Sequence, residues 1–352
     1  MARMKEKVVV GLSGGVDSTV AAYLLKEQGY DVIGVTLRLW DHEGGSNAVQ
    51  DARRVAEKLD IPFYVLDFRE KFYHEVVTYF MDSYMQGLTP NPCIMCNRYI
   101  KGTALIEKAN ALGAKWIATG HYAKIEKHAV TGRYAIRNSA TAEKDQTYAL
   151  YRLTQEQLQA FQLPIGELTK NEVRKIAENI DGFIARKGDS QDICFIPDGD
   201  YISFIHRESP KKVIEGAFVD REGSILGQHK GLMHYTVGQR KGLGIAFGKP
   251  MYVTGLDAGK NQVVLSENKD LFERTLYADN LAHMAVEAFT DGMRLLGKIR
   301  YNHKAAWCTV RMVAEDRLEC VFDEPQRAIT PGQSLVLYDG EYVAGGGIVR
   351  GI

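Results

Sequence analysis

Nowhere in its 352 residues does the chain hold a run of about 18 apolar side chains, so no membrane-spanning helix and no membrane partner are expected. A secretory start is also missing. The opening MARMKEKVVVGL is charged, but its apolar stretch passes straight into glycines without a small-residue cleavage site, so a cytoplasmic protein is expected. Charge of one sign is not in excess: 44 basic and 44 acidic side chains give a formal net charge of zero, which neither suggests nor excludes nucleic acid. Cysteine is sparse and odd in number. Cys93, Cys96, Cys194, Cys308 and Cys320 argue against a structural disulfide framework. Internal repeats and low-complexity tracts are absent as well.

What remains is the composition of an ordinary globular protein, 45% hydrophobic and 25% charged, long enough for two or three domains. The first half alternates strand and helix signals. Strands are expected at 7–12, 31–39, 62–67 and 116–120, with helices at 19–28, 47–59, from 67 to about 85, and at 100–112. Such alternation predicts an α/β domain, a parallel sheet covered by helices, with ligands at the strand C-termini. Residues 87–97 read as a proline-bearing loop that carries Cys93 and Cys96. Residues 145–180 read as helical, with a capping box at Thr169–Glu172. Beyond about Arg207 the segments are short and alternating, which predicts β structure. The expected division is an α/β domain over 1–206, a small β-rich domain over 207–270 and a C-terminal β-barrel over 271–352. Cys308 and Cys320 fall in strand-like runs and are expected in the core.

The most informative segment is Gly11-Leu12-Ser13-Gly14-Gly15-Val16-Asp17-Ser18. A strand breaks into glycines and re-enters a helix, so backbone N–H groups and a helix N-terminus converge on one anion. The Ser13 and Ser18 hydroxyls add donors. Asp17 is expected either to position a Mg²⁺–pyrophosphate unit or to cap the helix. The lysine of GxxxxGK[ST] loops is missing, which separates this loop from Walker-type NTPases. At other strand ends, Leu37 and Gly120 are expected beside the adenosine of ATP. The Cys93-x-x-Cys96 pair suggests redox, metal or sulfur chemistry. Lys101 is the nearest cation in sequence to Cys96. The glycine-rich, basic stretch 230–244 reads either as a hinge with a phosphate-contacting surface or as a plain hairpin.

SGGVDS resembles the signature of PP-loop ATP pyrophosphatases, which cleave ATP to AMP and pyrophosphate and activate an oxygen by adenylation. GMP, asparagine and argininosuccinate synthetases share it, as do tRNA lysidine synthetases and tRNA thiolases. Six further motifs follow in order: TPNPCIMCN at 89–97, TGHY at 119–122, KDQTY at 144–148, DSQDICFI at 189–196, HYTVGQRKGLG at 234–244 and KIRY at 298–301. Together they resemble the bacterial tRNA-specific 2-thiouridylases (MnmA type) over essentially the whole chain.

That resemblance implies 2-thiolation of the wobble uridine of tRNAs for Lys, Glu and Gln. ATP with Mg²⁺ adenylates O2, and a protein persulfide delivers sulfur to C2. It makes Cys194 the persulfide acceptor and Cys96 its catalytic partner, able to form a disulfide with Cys194 as sulfur leaves. The implied partners are the tRNA anticodon stem-loop and a persulfide donor, either a cysteine desulfurase or a relay protein. It places Asn91, Pro92 and Cys93 at the target base, and His121, Lys144, Asp145, Gln146, Arg300, Tyr301 and Gln333 at the tRNA. Phosphate-binding cations and a stacking tyrosine suit such contacts. Cys93 stands where some members of the family have an aspartate proposed as acid/base, which puts that role in doubt. It also leaves a second route open, an iron–sulfur cluster on Cys93, Cys96 and Cys194. Other readings are a different AMP-forming ligase, which has no need of the Cys96/Cys194 pair, and a non-catalytic RNA- or nucleotide-binding protein.

Overall fold

A computed structural model describes residues 5–41, 47–188, 193–245 and 248–351; Asp189–Asp192 of the DSQDICFI motif therefore lie outside the described residues. The first three strands are β1 (Lys7–Gly11), β2 (Asp31–Arg38) and β3 (Phe63–Asp67), joined through helices α1 (Val16–Glu27) and α2 (Ala48–Lys58). With β4 (Trp116–Ala118), the hairpin strands β5 (Lys124–Lys127) and β6 (Tyr134–Arg137), and the short β7 (Phe161–Gln162), they complete the strands of this half. The parallel sheet runs β3-β2-β1-β4-β7. Val8, Val9 and Val10 of β1 are fully buried, as expected of a central strand covered on both faces. Chain order reverses on either side of β1. The crevice between the ends of β1 and β4 is therefore the topological switch point, where α/β sheets bind ligands.

Two helix boundaries differ from expectation. α1 starts at Val16 rather than Thr19, because Gly14 (φ +73°) and an extended Gly15 turn the chain within two residues. The cysteine pair is helical rather than looped. Pro92–Met95 runs into the π-helical Cys96–Ala104 and then Leu105–Ala111. Asn91 caps this helix by accepting the Cys93 N–H at 3.1 Å, and Pro92 occupies a first-turn position where no intrahelical donor is needed. The helical pattern over 145–180 is realised as separate helices. It breaks into Thr147–Leu150, Gln155–Ala160 and Lys170–Ile180, with β7 in between. The expected capping box at Thr169 and Glu172 does form.

The central unit is a four-stranded sheet of β8 (Gly216–Val219), β9 (Ile225–His229), β10 (Tyr252–Asp257) and β11 (Gln262–Ser266), in the order β10-β11-β8-β9. Residues 230–244 form no hairpin; they hold a 3₁₀ turn at Leu232–His234 and irregular backbone with Arg240 and Lys241 exposed. The last six strands are β12 (Phe272–His283), β13 (Arg294–Lys298), β14 (Ala306–Ala314), β15 (Arg317–Arg327), β16 (Ser334–Asp339) and β17 (Tyr342–Gly351). Pairing of β12 with β17 closes them into a barrel. Closure needs small residues: a Cβ on Gly346 would stand 2.2 Å from the Leu335 carbonyl oxygen. Cys308 and Cys320 are fully buried in this barrel, free of disulfides.

The hairpin β5–β6 belongs to the α/β half in sequence but joins the barrel sheet, where Arg137 pairs with Tyr342. One apolar core accordingly runs from Val9 and Ile117 through Tyr148 and Tyr151 to Met284, Val336 and Val343. The barrel is thereby packed against the sheet that carries the phosphate loop.

Candidate active site

The phosphate loop leaves β1 at Gly11 with Leu12 N–H bonded to the Val35 carbonyl (2.8 Å) and Thr36 Oγ1 donating to the Leu12 carbonyl (2.7 Å). Ser18 Oγ accepts from Ser13 N–H at 3.2 Å and lies 3.1 Å from Ser13 Oγ, folding the loop back on itself. No side chain caps α1 at Gly15, so the first-turn amides stay open for an anion. Gly14 is required twice over: its φ is left-handed, and a Cβ there would sit 2.7 Å from the Ala48 carbonyl oxygen.

Gly120 follows β4 and packs on the start of α1. A Cβ on it would lie 2.5 Å from Asp17 C and 2.7 Å from Ser18 N. Leu37, past the middle of β2, is half-buried between two apolar cores on the same sheet.

Asp17 is an ion-pair partner in this arrangement. Its carboxylate accepts from Lys170 Nζ (2.7 and 3.0 Å) and from the Tyr122 hydroxyl (2.7 Å). Lys187 Nζ donates to the Gly14 carbonyl at 3.0 Å and contacts the Asp51 carboxylate. Sequence reasoning passed over both lysines. Neither carries a local signal, because their partners lie more than a hundred residues away along the chain.

The thiols form a second group. Cys96 is 8% exposed, in the core that also holds Met95, Phe195 and Ile196. Phe195 is wedged among Phe72, Phe80 and Phe204, with centroids 5.2–5.5 Å apart, and so anchors Cys194 beside that core. Cys93 and Cys194 are solvent-exposed at their mouths, yet the protein around them displaces enough water to disfavour the thiolate. Burial pushes Cys96 up to about 11, eased by Lys101 and aggravated by Cys93. Cys194 is pushed up to about 12, first by burial and then by the charges of Cys96 and Cys93. Lys101 opposes the rise at all three sulfurs. Its Nζ lies 3.4 Å from His121 Nε2, while Thr119 Oγ1 lies 2.7 Å from His121 Nδ1. Burial, and then Lys101, hold His121 well below its ordinary pKa, so the imidazole is neutral at pH 7.

The remaining positions sit around these two groups. Gln146 exchanges hydrogen bonds with the Tyr122 backbone, Oε1 accepting at 2.9 Å, and Asp145 accepts from Ser139 and Thr147 N–H groups. Both stabilise the turn before Thr147. Lys144, next to them, is half-buried. Tyr301 is 38% exposed and donates to the Asp145 carbonyl at 3.2 Å; burial, then the charges of Asp145 and Cys93, push its hydroxyl pKa up. Arg300 turns inward, donating to the Arg327 carbonyl at 3.1 Å. Gln333 Nε2 donates to the Thr89 carbonyl at 2.8 Å, and Thr89 N–H donates to the Pro331 carbonyl at 2.9 Å. A barrel turn therefore braces the segment leading to Asn91, Pro92 and Cys93. Among the described residues no three His, Cys, Asp or Glu side chains gather as a metal-binding group, the cysteine trio included.

Three family models match in succession: a tRNA methyl transferase HUP domain over residues 6–198, a tRNA methyl transferase PRC-barrel domain over 202–267 and an aminomethyltransferase β-barrel domain over 273–349. The tRNA-specific 2-thiouridylase MnmA of Clostridioides difficile (strain 630) is 53% identical over 356 residues, covering 99% of each chain. Its namesake from Lachnoclostridium phytofermentans is 53% identical over 98% of this chain and 99% of its own. Among solved structures, the U34-tRNA thiolase NcsA from Methanococcus maripaludis aligns at 19% identity and a TM-score of 0.35, over 59% of this chain and 68% of that one, too weakly to inform the site. Identity above one half from the phosphate loop to the last barrel strand leaves no room for a different lineage: the chain belongs to the tRNA-specific 2-thiouridylase family.

Proposed function

We propose that this chain 2-thiolates the wobble uridine of tRNAs for Lys, Glu and Gln, using ATP and a persulfide on Cys194. One observation carries the reading. Lys101, which acts on all three thiols, contacts His121, and the adjacent Gly120 packs on Asp17 and Ser18 of the phosphate loop. The anion-binding end and the sulfur end thus share one continuous wall.

ATP enters as its Mg²⁺ complex, with the pyrophosphate at the open amides of α1 and the Ser13 and Ser18 hydroxyls, and the adenosine near Leu37 and Gly120. Cleavage between the α and β phosphates leaves the uridine O2 as an adenylate, a good leaving group. Persulfidated Cys194 then gives up its terminal sulfur as hydrosulfide. Electron balance requires a second thiol to take the remaining Cys194 sulfur into a disulfide, and Cys96 is that thiol. The hydrosulfide attacks C2 and AMP departs. Asn91, Pro92, Cys93, His121, Lys144 and Tyr301 surround the base and its strand in this reading. Asp145, Gln146, Arg300 and Gln333 act behind them by holding the turn, the barrel loop and the Thr89 segment.

Among the described residues Cys93, Cys96 and Cys194 form no metal-ligand group, although Cys96 feels the charge of Cys93 and Cys194 feels both. The sulfur donor in this reading is a cysteine desulfurase or relay protein, in the cytoplasm; no helix among the described residues is long and apolar enough to cross a membrane.

The test is incubation with unmodified tRNA, Mg-ATP and a persulfide donor, followed by nucleoside digestion and mass spectrometry. The expected product is 2-thiouridine, one AMP and one pyrophosphate per base. Absence of the thionucleoside with a persulfide donor and with iron–sulfide-reconstituted protein alike overturns the assignment.

A further inference from the structure

Each turnover in the proposed cycle leaves Cys194 tied to Cys96, and the protein must reopen that bond before it can accept sulfur again. Cys96 is hard to reach from outside. It is 8% exposed and walled by the aromatic core around Phe195. Cys93 lies one helical turn earlier on the same helix and is open to solvent. The two are spaced i and i+3, the spacing that puts side chains on one face of a helix, about 5–6 Å apart at Cβ. A disulfide needs about 3.5–4.5 Å between Cβ atoms, a small closure for a Cys-x-x-Cys pair in a first turn. The Cys93 N–H is held by the Asn91 side chain and not by a helical carbonyl, so closing the pair breaks no intrahelical bond made by that N–H.

We propose that Cys93 is the resolving thiol of this enzyme, opening the Cys96–Cys194 disulfide from within. The inference rests on the sulfur-transfer reading above. The Cys93 thiolate, having lost its proton to solvent, attacks Cys96 Sγ. A Cys93–Cys96 bond forms, the Cys96–Cys194 bond breaks, and Cys194 leaves as a thiolate that takes up a proton. The exchange is isoelectronic and consumes no oxidant or reductant. An external dithiol then attacks the exposed Cys93 Sγ and carries away the two electrons' worth of oxidation, leaving Cys93 and Cys96 reduced. Cys194 is thereby freed for the next persulfide before any reductant arrives. Attack by the external dithiol at Cys194 would instead place it on the sulfur that has to receive the next persulfide. The intramolecular route is also favoured by the high effective concentration of a thiol one turn away. Lys101 supplies the same assistance to the attacking and departing sulfurs, since it favours the thiolate at all three.

The experiment is a reductant-free turnover of the full chain with persulfidated Cys194, tRNA and Mg-ATP, quenched in acid, alkylated with iodoacetamide and mapped by peptide mass spectrometry without reduction. The expected result is a Cys93–Cys96 linked peptide in amount equal to the 2-thiouridine formed, with Cys194 alkylated. In C93S the linkage per thiouridine moves wholly to Cys96–Cys194. Thiouridine accompanied by Cys96–Cys194 linkage and alkylated Cys93 in the wild-type protein overturns the inference while leaving the sulfur-transfer reading intact. No thiouridine with any donor overturns that reading instead. A second arm needs no turnover: one equivalent of diamide is added to the reduced protein, and closure of Cys96–Cys194 in preference to Cys93–Cys96 sinks the resolving role.

Discussion

Replacing Gly120 with alanine tests how the sheet presents the phosphate loop. The added Cβ would stand 2.5 Å from Asp17 C, 2.7 Å from Ser18 N and 2.8 Å from Asp17 O, all backbone atoms that cannot rotate away. Ordinary contact begins near 3.4 Å, so the first turn of α1 and the strand end must part by close to 1 Å. Overpacking of this kind costs about 1–3 kcal/mol of stability if the fold absorbs it. If the loop moves instead, a displacement of about 1 Å at the reacting groups costs about 10²-fold in rate. Both outcomes are readable by urea denaturation together with tRNA-dependent pyrophosphate release. The expected result for G120A is a loss of about 1–3 kcal/mol or of about 10²-fold in kcat/KM, shared between the two. Gly255→Ala, whose Cβ would meet Val264 at an ordinary 3.6 Å, should change neither by much. Wild-type stability and wild-type kcat/KM in G120A would refute the claim that Gly120 sets the loop.

Lys170→Met removes both contacts to Asp17. A hydrogen bond to a charged group is worth about 1.5–3 kcal/mol, and the low end is expected because Asp17 keeps the Tyr122 hydroxyl and is about one third exposed. Thermal melting and the KM for ATP should both report the loss, and an unchanged KM would remove Lys170 from the ATP site. Gly332→Ala places a Cβ 2.7 Å from Thr89 N at a left-handed φ of +90°, so the barrel turn should undock from the Asn91–Cys93 segment, with about 1–3 kcal/mol lost. Retained thiolation and stability would show that the bracing is idle. The thiols give a pH signature. Alkylation of Cys194 should still be accelerating above pH 9.0, its ordinary value, and level off only toward 12; a plateau below pH 8 would contradict the burial argument. The linkage sign follows from the same shift. The unfolded chain loses its thiol protons first, so stability falls as pH rises from about 9 toward the raised values, and C96S should show less of that fall in urea midpoints.

The phosphate loop, the parallel sheet and the all-β second half were legible from the chain alone, because glycines in a βα turn, buried valine strands and alternating segments are local signals. The family motifs likewise named Cys96 and Cys194. Local reading failed where distant partners decide. Two prolines suggested a loop around Cys93, but Pro92 behind an Asn91 cap starts a helix instead. The β5–β6 hairpin is too short to announce itself, and it exists by pairing with a barrel strand some two hundred residues on. Lys170 and Lys187 look like any surface lysines until the fold sets them on Asp17, Gly14 and Asp51. The sequence by itself thus determined which chemical groups are present and where a glycine-rich strand-to-helix turn opens backbone amides, since both depend on residue type and short spacing. Only the tertiary structure decided that Cys96 is buried while Cys93 and Cys194 stay exposed, with Phe195 anchoring Cys194 beside the core that holds Cys96. Burial and proximity are properties of packing, and no local pattern encodes them.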